Sequence, residues 1–340
     1  MIEIYKDSGI FELERGGLLR DIEIAFSTFG KLNEDRDNVI WVCHALTANS
    51  DVADWWPHTV VEGGFLDPNK WFVVCANILG SNYGTTGPLS INPETGKPYY
   101  EEFPKVTIRD IVKAHIKLAK HLKINSIYAL VGSSLGGFQA MEWAIMEPER
   151  IHKLVLIATD SGVTPWAAGL NETQRMAIKA DHTYGSHTAE AGKEGMATAR
   201  AIALLSYRGP SGYNLSQPNR EDTAPYCHRV STYQTYQGEK LCKRFNAYSY
   251  MTILDTFDSH DISRGRGADR EETLKKIKAK TACISIPTDI LFPPESVKRL
   301  ADNIPGSEYF EITSEFGHDG FLVEHQQLNN ILNKFLDTPQ

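Results

Sequence analysis

The segment Gly132-Ser133-Ser134-Leu135-Gly136 sets a serine hydroxyl midway between two glycines. It lies between an apolar, strand-like run, Ser126 to Val131, and a helix-compatible run, Leu135 to Met146. That context is the one a nucleophile elbow needs: a strand, a sharp turn presenting the hydroxyl, and a helix behind it. The glycines are a steric requirement, since side chains two residues either side of the serine would collide in so tight a turn. Ser133 is not centred between glycines, so Ser134 is the candidate nucleophile. A serine hydroxyl becomes nucleophilic only with a base to take its proton and an acid to orient that base. In chain order the acid and then the base should follow the serine, on loops after later strands. Asp289 follows the strand-like run Ala282 to Pro287, and His318 follows Tyr309 to Ile312, both in loops marked by Gly or Pro. The other histidines fit less well: His115 and His121 fall on a helical pattern, and His44 precedes the serine. Negative charge developing on a substrate oxygen would be met by two backbone N–H groups. Leu135, next after the nucleophile, supplies one, and Leu46, in the loop after the strand-like run Asn38 to Cys43, supplies the other.

The elements that must position these groups alternate in type. Asn38 to Cys43 and Trp71 to Ala76 are short runs of β-branched and aromatic residues, suited to strands buried on both faces. Thr107 to Lys123 carries an apolar stripe at helical spacing behind a Thr107/Asp110 capping box. Ser126 to Val131, the helix after Ser134, and Lys153 to Ala158 continue the rhythm. Strands alternating with helices imply right-handed crossovers and a mostly parallel central sheet with helices on both faces. From 164 to 274 the rhythm gives way to helix-compatible stretches such as Gln174 to Ala180 and Lys193 to Leu205. The expected organisation is a catalytic core of residues 1–163 and 275–340, with a helical lid insertion at 164–274.

Bulk properties narrow the function classes. The 340 residues carry a formal net charge of −8, which argues against nonspecific binding to nucleic acid or anionic membranes. Met1 to Ile10 is charged and lacks an apolar core, and no window is long and apolar enough to span a bilayer. A cytoplasmic protein is therefore expected. The five cysteines show no paired spacing, and no second ligand stands at a zinc-like spacing from His44. No metal site and no disulfide are expected.

Longer blocks carry a family likeness. CHALTANSD at Cys43 to Asp51, NILGSNYGTTGPLSINPETGKPY at Asn77 to Tyr99 and GSSLGGFQAMEWA at Gly132 to Ala144 are followed by ATARAIALLSYR at Ala197 to Arg208. FNAYSYMTILDTFDSHDISRGRG at Phe245 to Gly267, TDILFPPE and FGHDGFLVEH complete the set. In these the chain resembles the homoserine O-acyltransferases of the α/β-hydrolase type, mostly homoserine O-acetyltransferases of methionine biosynthesis. The resemblance implies an α/β-hydrolase fold and ping-pong transfer of an acetyl group from acetyl-CoA, as co-substrate, to the hydroxyl of L-homoserine. It implies no resident cofactor, and a homodimer formed through the helical insertion. It also assigns Arg200 to the carboxylate and Asp319 to the ammonium of the amino-acid substrate, roles that their surroundings in sequence would not suggest. Many relatives carry Met at the Leu135 position and Gly at Ser133; Leu135 contributes its backbone N–H, so that change should be benign, and neither change bears on which acceptor is used.

Three alternatives stay open at this level. A serine esterase or deacetylase would use the same triad with water in place of the acceptor, and would need no clamp for a zwitterion. Succinyl-CoA could replace acetyl-CoA. L-Serine, one methylene shorter, could replace homoserine, because a difference of that size is worth only ~1–3 kcal/mol.

Overall fold

The computed structural model describes residues 2–219, 225 and 227–338. Eight strands make one sheet: β1 (Ile2–Glu12), β2 (Leu18–Phe29), β3 (Val39–Cys43), β4 (Phe72–Ala76), β5 (Ile127–Ser133), β6 (Ile151–Ile157), β7 (Lys280–Ser285) and β8 (Glu308–Glu311). Their order across the sheet is β1-β2-β4-β3-β5-β6-β7-β8. The six strands from β4 to β8 run parallel, and β1 and β2 are antiparallel additions at one edge.

The central strands are apolar throughout because both faces are covered. Val39, Trp41 and Cys43 of β3 point into one core layer, and Ile40 and Val42 into the other. The first layer is closed by α1 (Ile108–His121) and α2 (Leu135–Met146), the second by α8 (His325–Asp337). Helix α1 begins at the anticipated capping box: the Asp110 amide donates to Thr107 Oγ1 at 3.3 Å, and the Thr107 amide donates to Asp110 Oδ2 at 3.0 Å. Lys153, fully buried in β6, has its ammonium against the last carbonyls of α8, at 2.7 Å from Leu336 O and 2.6 Å from Thr338 O. A buried cation at a helix C-terminus meets the negative end of its dipole, which fastens α8 to the sheet.

Two elements differ from expectation for one physical reason. Strand β1 pairs with β2 although Ile2, Ile4 and Ile10 are all more than half exposed. An edge strand held by backbone hydrogen bonds need not bury an apolar face, so it carries no alternating signature. Strand β2 likewise starts at Leu18, four residues before the loosely alternating run Ile22 to Phe29 that marks it in the sequence.

Between β6 and β7 lie α3 (Pro165–Ala180), α4 (Lys193–Ser216), α5 (Arg229–Cys242) and α6 (Ala247–Asp258), and α7 (Pro294–Asn303) joins β7 to β8. Helix α4 is kinked where Gly209 adopts φ 61°, ψ 176°, a conformation open only to glycine, ahead of Pro210, which has no N–H to donate. Beyond the kink Gly212 lies against the backbone of Glu315 and Phe316, so the helix packs on the turn that carries His318. Among the described residues no helix is long and apolar enough to cross a membrane. Cys43, Cys75 and Cys283 are buried in strands as free thiols.

Burial fixes the protonation of three histidines. It lowers His44 from its ordinary 6.5 to about 4, and His115 and His260 to about 3. These imidazoles are neutral in the folded chain but take a proton near pH 6.5 once unfolded, so between pH 6.5 and 3 the unfolded state binds more protons. Stability is therefore intact above pH 6.5 and falls as the pH drops toward 4. Neither nitrogen of His115 has a partner among the described residues, so its removal costs no hydrogen bond. In urea titrations from pH 7.5 to 4.5, His115→Phe should lose stability less steeply than the parent, by up to about 1.4 kcal/mol per pH unit. Parallel curves would refute this account.

Candidate active site

The sharpest backbone feature is Ser134, with φ 54° and ψ −125° between β5 and α2. Such a conformation costs on the order of 1–3 kcal/mol and persists only where its surroundings hold it. The Ser134 amide donates to Ile157 O at 3.0 Å, and Ser134 O accepts from the Thr159 hydroxyl at 2.9 Å and the Gly137 amide at 2.9 Å. A Cβ on Gly132 would overlap the carbonyl of Gly136, and one on Gly136 would overlap the carbonyl of Cys43. The sequence G-x-S-x-G is thus the only pattern that lets strand, helix and the end of β3 meet backbone to backbone here. Leu135 is the first residue of α2, so its amide has no acceptor within the helix and adds to the positive end of the helix dipole.

Asp289 and His318 arrive from the ends of β7 and β8. Asp289 is buried, and its Oδ1 accepts the amides of Leu291 at 2.8 Å and Phe292 at 3.0 Å. Its Oδ2 is left for His318 Nδ1, which donates at 2.7 Å. Thr288 stitches the two loops: its hydroxyl donates to Ser314 O at 2.6 Å and accepts the Gly317 amide at 3.1 Å. With Nδ1–H committed to the carboxylate, Nε2 of the neutral ring carries a lone pair. Nε2 has no partner among the described residues. The ring is held by Phe292 and Phe321, each with its centroid 5.4 Å away.

Ser134 and His318 both line a cavity of about 400 Å³. Leu46, Arg200 and Asp319 line the same cavity, whereas Asp289 stands behind the imidazole. The loop bearing Leu46 is shaped by His44, whose Nδ1 contacts Ala45 O at 2.8 Å and whose Nε2 accepts the Ile78 amide at 3.3 Å. Gln139 of α2 donates to His44 O at 3.2 Å, tying that loop to the helix after the serine. Among the described residues neither the Leu46 nor the Leu135 amide donates to a protein acceptor.

Arg200 projects from α4 over the ring of Tyr207, with Cζ 5.5 Å from its centroid. Asp319 is held by Arg208, whose Nε donates to Oδ2 at 3.2 Å. Burial raises the Asp319 carboxyl above its usual range, against the opposing pull of Arg200, Arg208 and His318. Sequence reasoning did not single out Tyr207 or Arg208. Both lie two helical turns from Arg200 and so share its face of α4, a spacing signal that was available in the sequence. Among the described residues no three His, Cys, Asp or Glu side chains converge as a metal site would require.

A parallel sheet with a strand–serine–helix elbow, and an acid and a histidine on later loops, defines the α/β-hydrolase class. The family model described as alpha/beta hydrolase fold matches residues 38–325. A homoserine O-acetyltransferase of Cyclobacterium marinum is 45% identical over 98% of this chain and 94% of its own length. The chain belongs to the homoserine O-acetyltransferase family, a family of acyltransferase enzymes. The crystal structure of a homoserine O-acetyltransferase from Staphylococcus aureus superimposes with a TM-score of 0.82 at 28% identity, covering 100% of this chain and 96% of that one. An acetylester hydrolase from Corynebacterium glutamicum reaches 0.88 at 23% identity, covering 99% and 96%, a likeness of fold.

The geometry has a consequence that can be read without any acyl acceptor. A fluorophosphonate probe should label Ser134, with the adduct found by peptide mass. Asp289→Asn, which presents the wrong hydrogen-bonding group to His318 Nδ1, should slow labelling at least a hundredfold, given that the equivalent loss in a serine protease costs about 10⁴ in turnover. Labelling at Ser133 instead would overturn the assignment of the nucleophile.

Proposed function

We propose that this chain is a homoserine O-acetyltransferase that carries the acetyl group of acetyl-CoA on Ser134 and delivers it to the hydroxyl of L-homoserine. The observation that carries this reading is the sharing of one cavity by Ser134, His318, Arg200 and Asp319. In the first half-reaction Ser134 Oγ attacks the thioester carbonyl while His318 Nε2 takes its proton, and Asp289 steadies the imidazolium. The Leu46 and Leu135 amides receive the oxyanion, a contribution of about 10²–10³ in rate for each such donor. The imidazolium returns its proton to the departing thiolate, so CoA leaves as a neutral thiol and the acyl-serine remains.

In the second half-reaction His318 takes the proton of the homoserine hydroxyl, whose oxygen attacks the acyl carbon, and Ser134 leaves with that proton. The acceptor carries a carboxylate and an ammonium, which Arg200 and Asp319 respectively complement. Arg208 has a part here too: by pairing with Asp319 it favours the ionised carboxylate that an ammonium requires. An esterase needs no such opposed pair, and this supports transfer over hydrolysis.

Release of free thiol, followed with acetyl-CoA or succinyl-CoA and with L-homoserine, L-serine or no acceptor, tests the reading directly. Rapid release that needs both acetyl-CoA and homoserine is expected, and Ser134→Ala should abolish it. Equal release without an acceptor would establish a hydrolase instead. Arg200→Ala should raise the KM for homoserine by tenfold or more, as expected for loss of a charge-assisted contact, while acyl-enzyme formation persists. Because Asp319 must be ionised to hold the ammonium, the KM for homoserine should climb as pH falls, at a higher pH than an ordinary carboxyl would dictate. Arg208→Gln should move that limb higher still. A KM profile unmoved by Arg208→Gln would refute the part given to this arginine.

A further inference from the structure

The cavity wall carries more positive charge than the two half-reactions use. Besides Arg200 it includes Lys240, in the last turn of α5, and Arg244, one turn further along the chain. Both are exposed, which puts them at the cavity's outer part, whereas Ser134 and His318 are buried at its floor. No carboxylate of the described residues lies within ion-pairing distance of either one. Arg244 Nη1 donates only to uncharged oxygens, Thr47 O at 2.6 Å and the Tyr83 hydroxyl. Asp54 shares the rim, which keeps a net positive charge in a protein whose overall charge is −8. The lining also has an apolar part, with Ala48, Trp55, Phe321 and Leu322.

We propose that Lys240 and Arg244 form a phosphate-binding rim that receives the diphosphate or ribose phosphate of the acyl-CoA donor. This rests on the reading of the chain as a CoA-dependent acyltransferase, and adds to it the residues that recognise the donor's far end. The chemistry of the donor matches the cavity from end to end. Its thioester must reach Ser134 at the floor, its uncharged pantetheine arm fits the apolar part of the lining, and its phosphates then emerge where the two cations stand. A guanidinium already braced on Thr47 O and Tyr83 keeps its remaining N–H groups in a fixed fork, which suits phosphate oxygens. The lysine adds a mobile point charge beside it. In a chain of net negative charge, a local positive rim also offsets the repulsion that a polyanionic donor would otherwise meet on approach.

The test compares two donors that share a thioester and differ in phosphates: acetyl-CoA and S-acetylpantetheine, each with saturating L-homoserine. The quantity read is the ratio of kcat/KM for the first donor to that for the second, in the parent, in Lys240→Gln and in Lys240→Glu. Lys240 makes no hydrogen bond or ion pair with the described residues, so its replacement leaves the recorded contacts of the fold in place. The ratio should fall roughly fivefold in Lys240→Gln and further in Lys240→Glu, with most of the loss in the KM for acetyl-CoA. Rising salt should erode the parent's ratio more than that of either variant. A parent that uses acetyl-CoA, with a ratio unchanged in both variants or with equal losses on the two donors, would overturn the phosphate rim and leave the acyltransferase reading standing. A parent that consumes neither thioester would overturn both.

Discussion

The approach of three backbone segments at Ser134 is the constraint on which the rest of the site depends. Strand β5 ends, α2 begins, and the loop after β3 crosses them, all within distances that exclude a Cβ at Gly132 or Gly136. That closeness does two things at once. It forces Ser134 into its left-handed conformation, and it brings the Leu46 loop up to the N-terminus of α2. The serine and both candidate oxyanion donors are therefore positioned by one steric event. The local strain is balanced by hydrogen bonds from Ser134 to Ile157, Thr159 and Gly137, and by a parallel sheet buried on both faces. Thr159 matters twice, because its hydroxyl serves the Ser134 carbonyl while its side chain fills the space beside Gly137.

The other half of the site is built by the helices between β6 and β7. Asp289 and His318 stand on loops after β7 and β8, and α4 adds Tyr207 beside His318 and Arg208 beside Asp319. The kink at Gly209 and Pro210 turns α4 onto the Gly317–Asp319 turn, with Gly212 and Gly317 as the contact points. Helix α4 therefore both presents Arg200 to the cavity and clamps the backbone that carries His318 and Asp319. Arg208, the residue before Gly209 at the kink, is the ionic partner of Asp319. A change in the packing of α4 would thus move Arg200, His318 and Asp319 together, which keeps their spacing to one another.

How much of this could be read in the sequence follows from how local each cause is. The elbow is a matter of adjacent residues, so Ser134 and the end of α2 at Met146 are legible directly. The Thr107/Asp110 box is similarly local, and α1 starts where it says. The buried strands announce themselves by unbroken apolar runs. Strand β1 does not, because an edge strand is stabilised by backbone pairing that leaves no trace in side-chain type. Asp289 and His318 were legible only jointly, through order along the chain and position after strands. Arg208 offers only its two-turn spacing from Arg200: its partner lies 111 residues away, so nothing local shows that tertiary folding supplies its counter-ion. Lys240 and Arg244 are ordinary helix-end cations by sequence, and only the cavity gives them a common direction.

The fold by itself does not distinguish moving an acyl group to water from moving it to an alcohol. The same fold at similar TM-scores includes an acetylester hydrolase and a homoserine O-acetyltransferase. Attack on an acyl-serine needs only a nucleophile near His318 Nε2, and water is both small and abundant. An alcohol competes with it by residence: an acceptor anchored at two opposite charges holds its hydroxyl near the acyl carbon at an effective concentration that bulk water, unoriented, does not match. The anchors must be partly desolvated to act in this way, and burial raises the Asp319 carboxyl toward its neutral form. Arg200 and Arg208 oppose that tendency. The arginine pair on α4 thus pulls a buried carboxyl toward its ionised form, and in the proposed transfer it is this helix, rather than the sheet that carries the triad, that would hold the alcohol against competition from water.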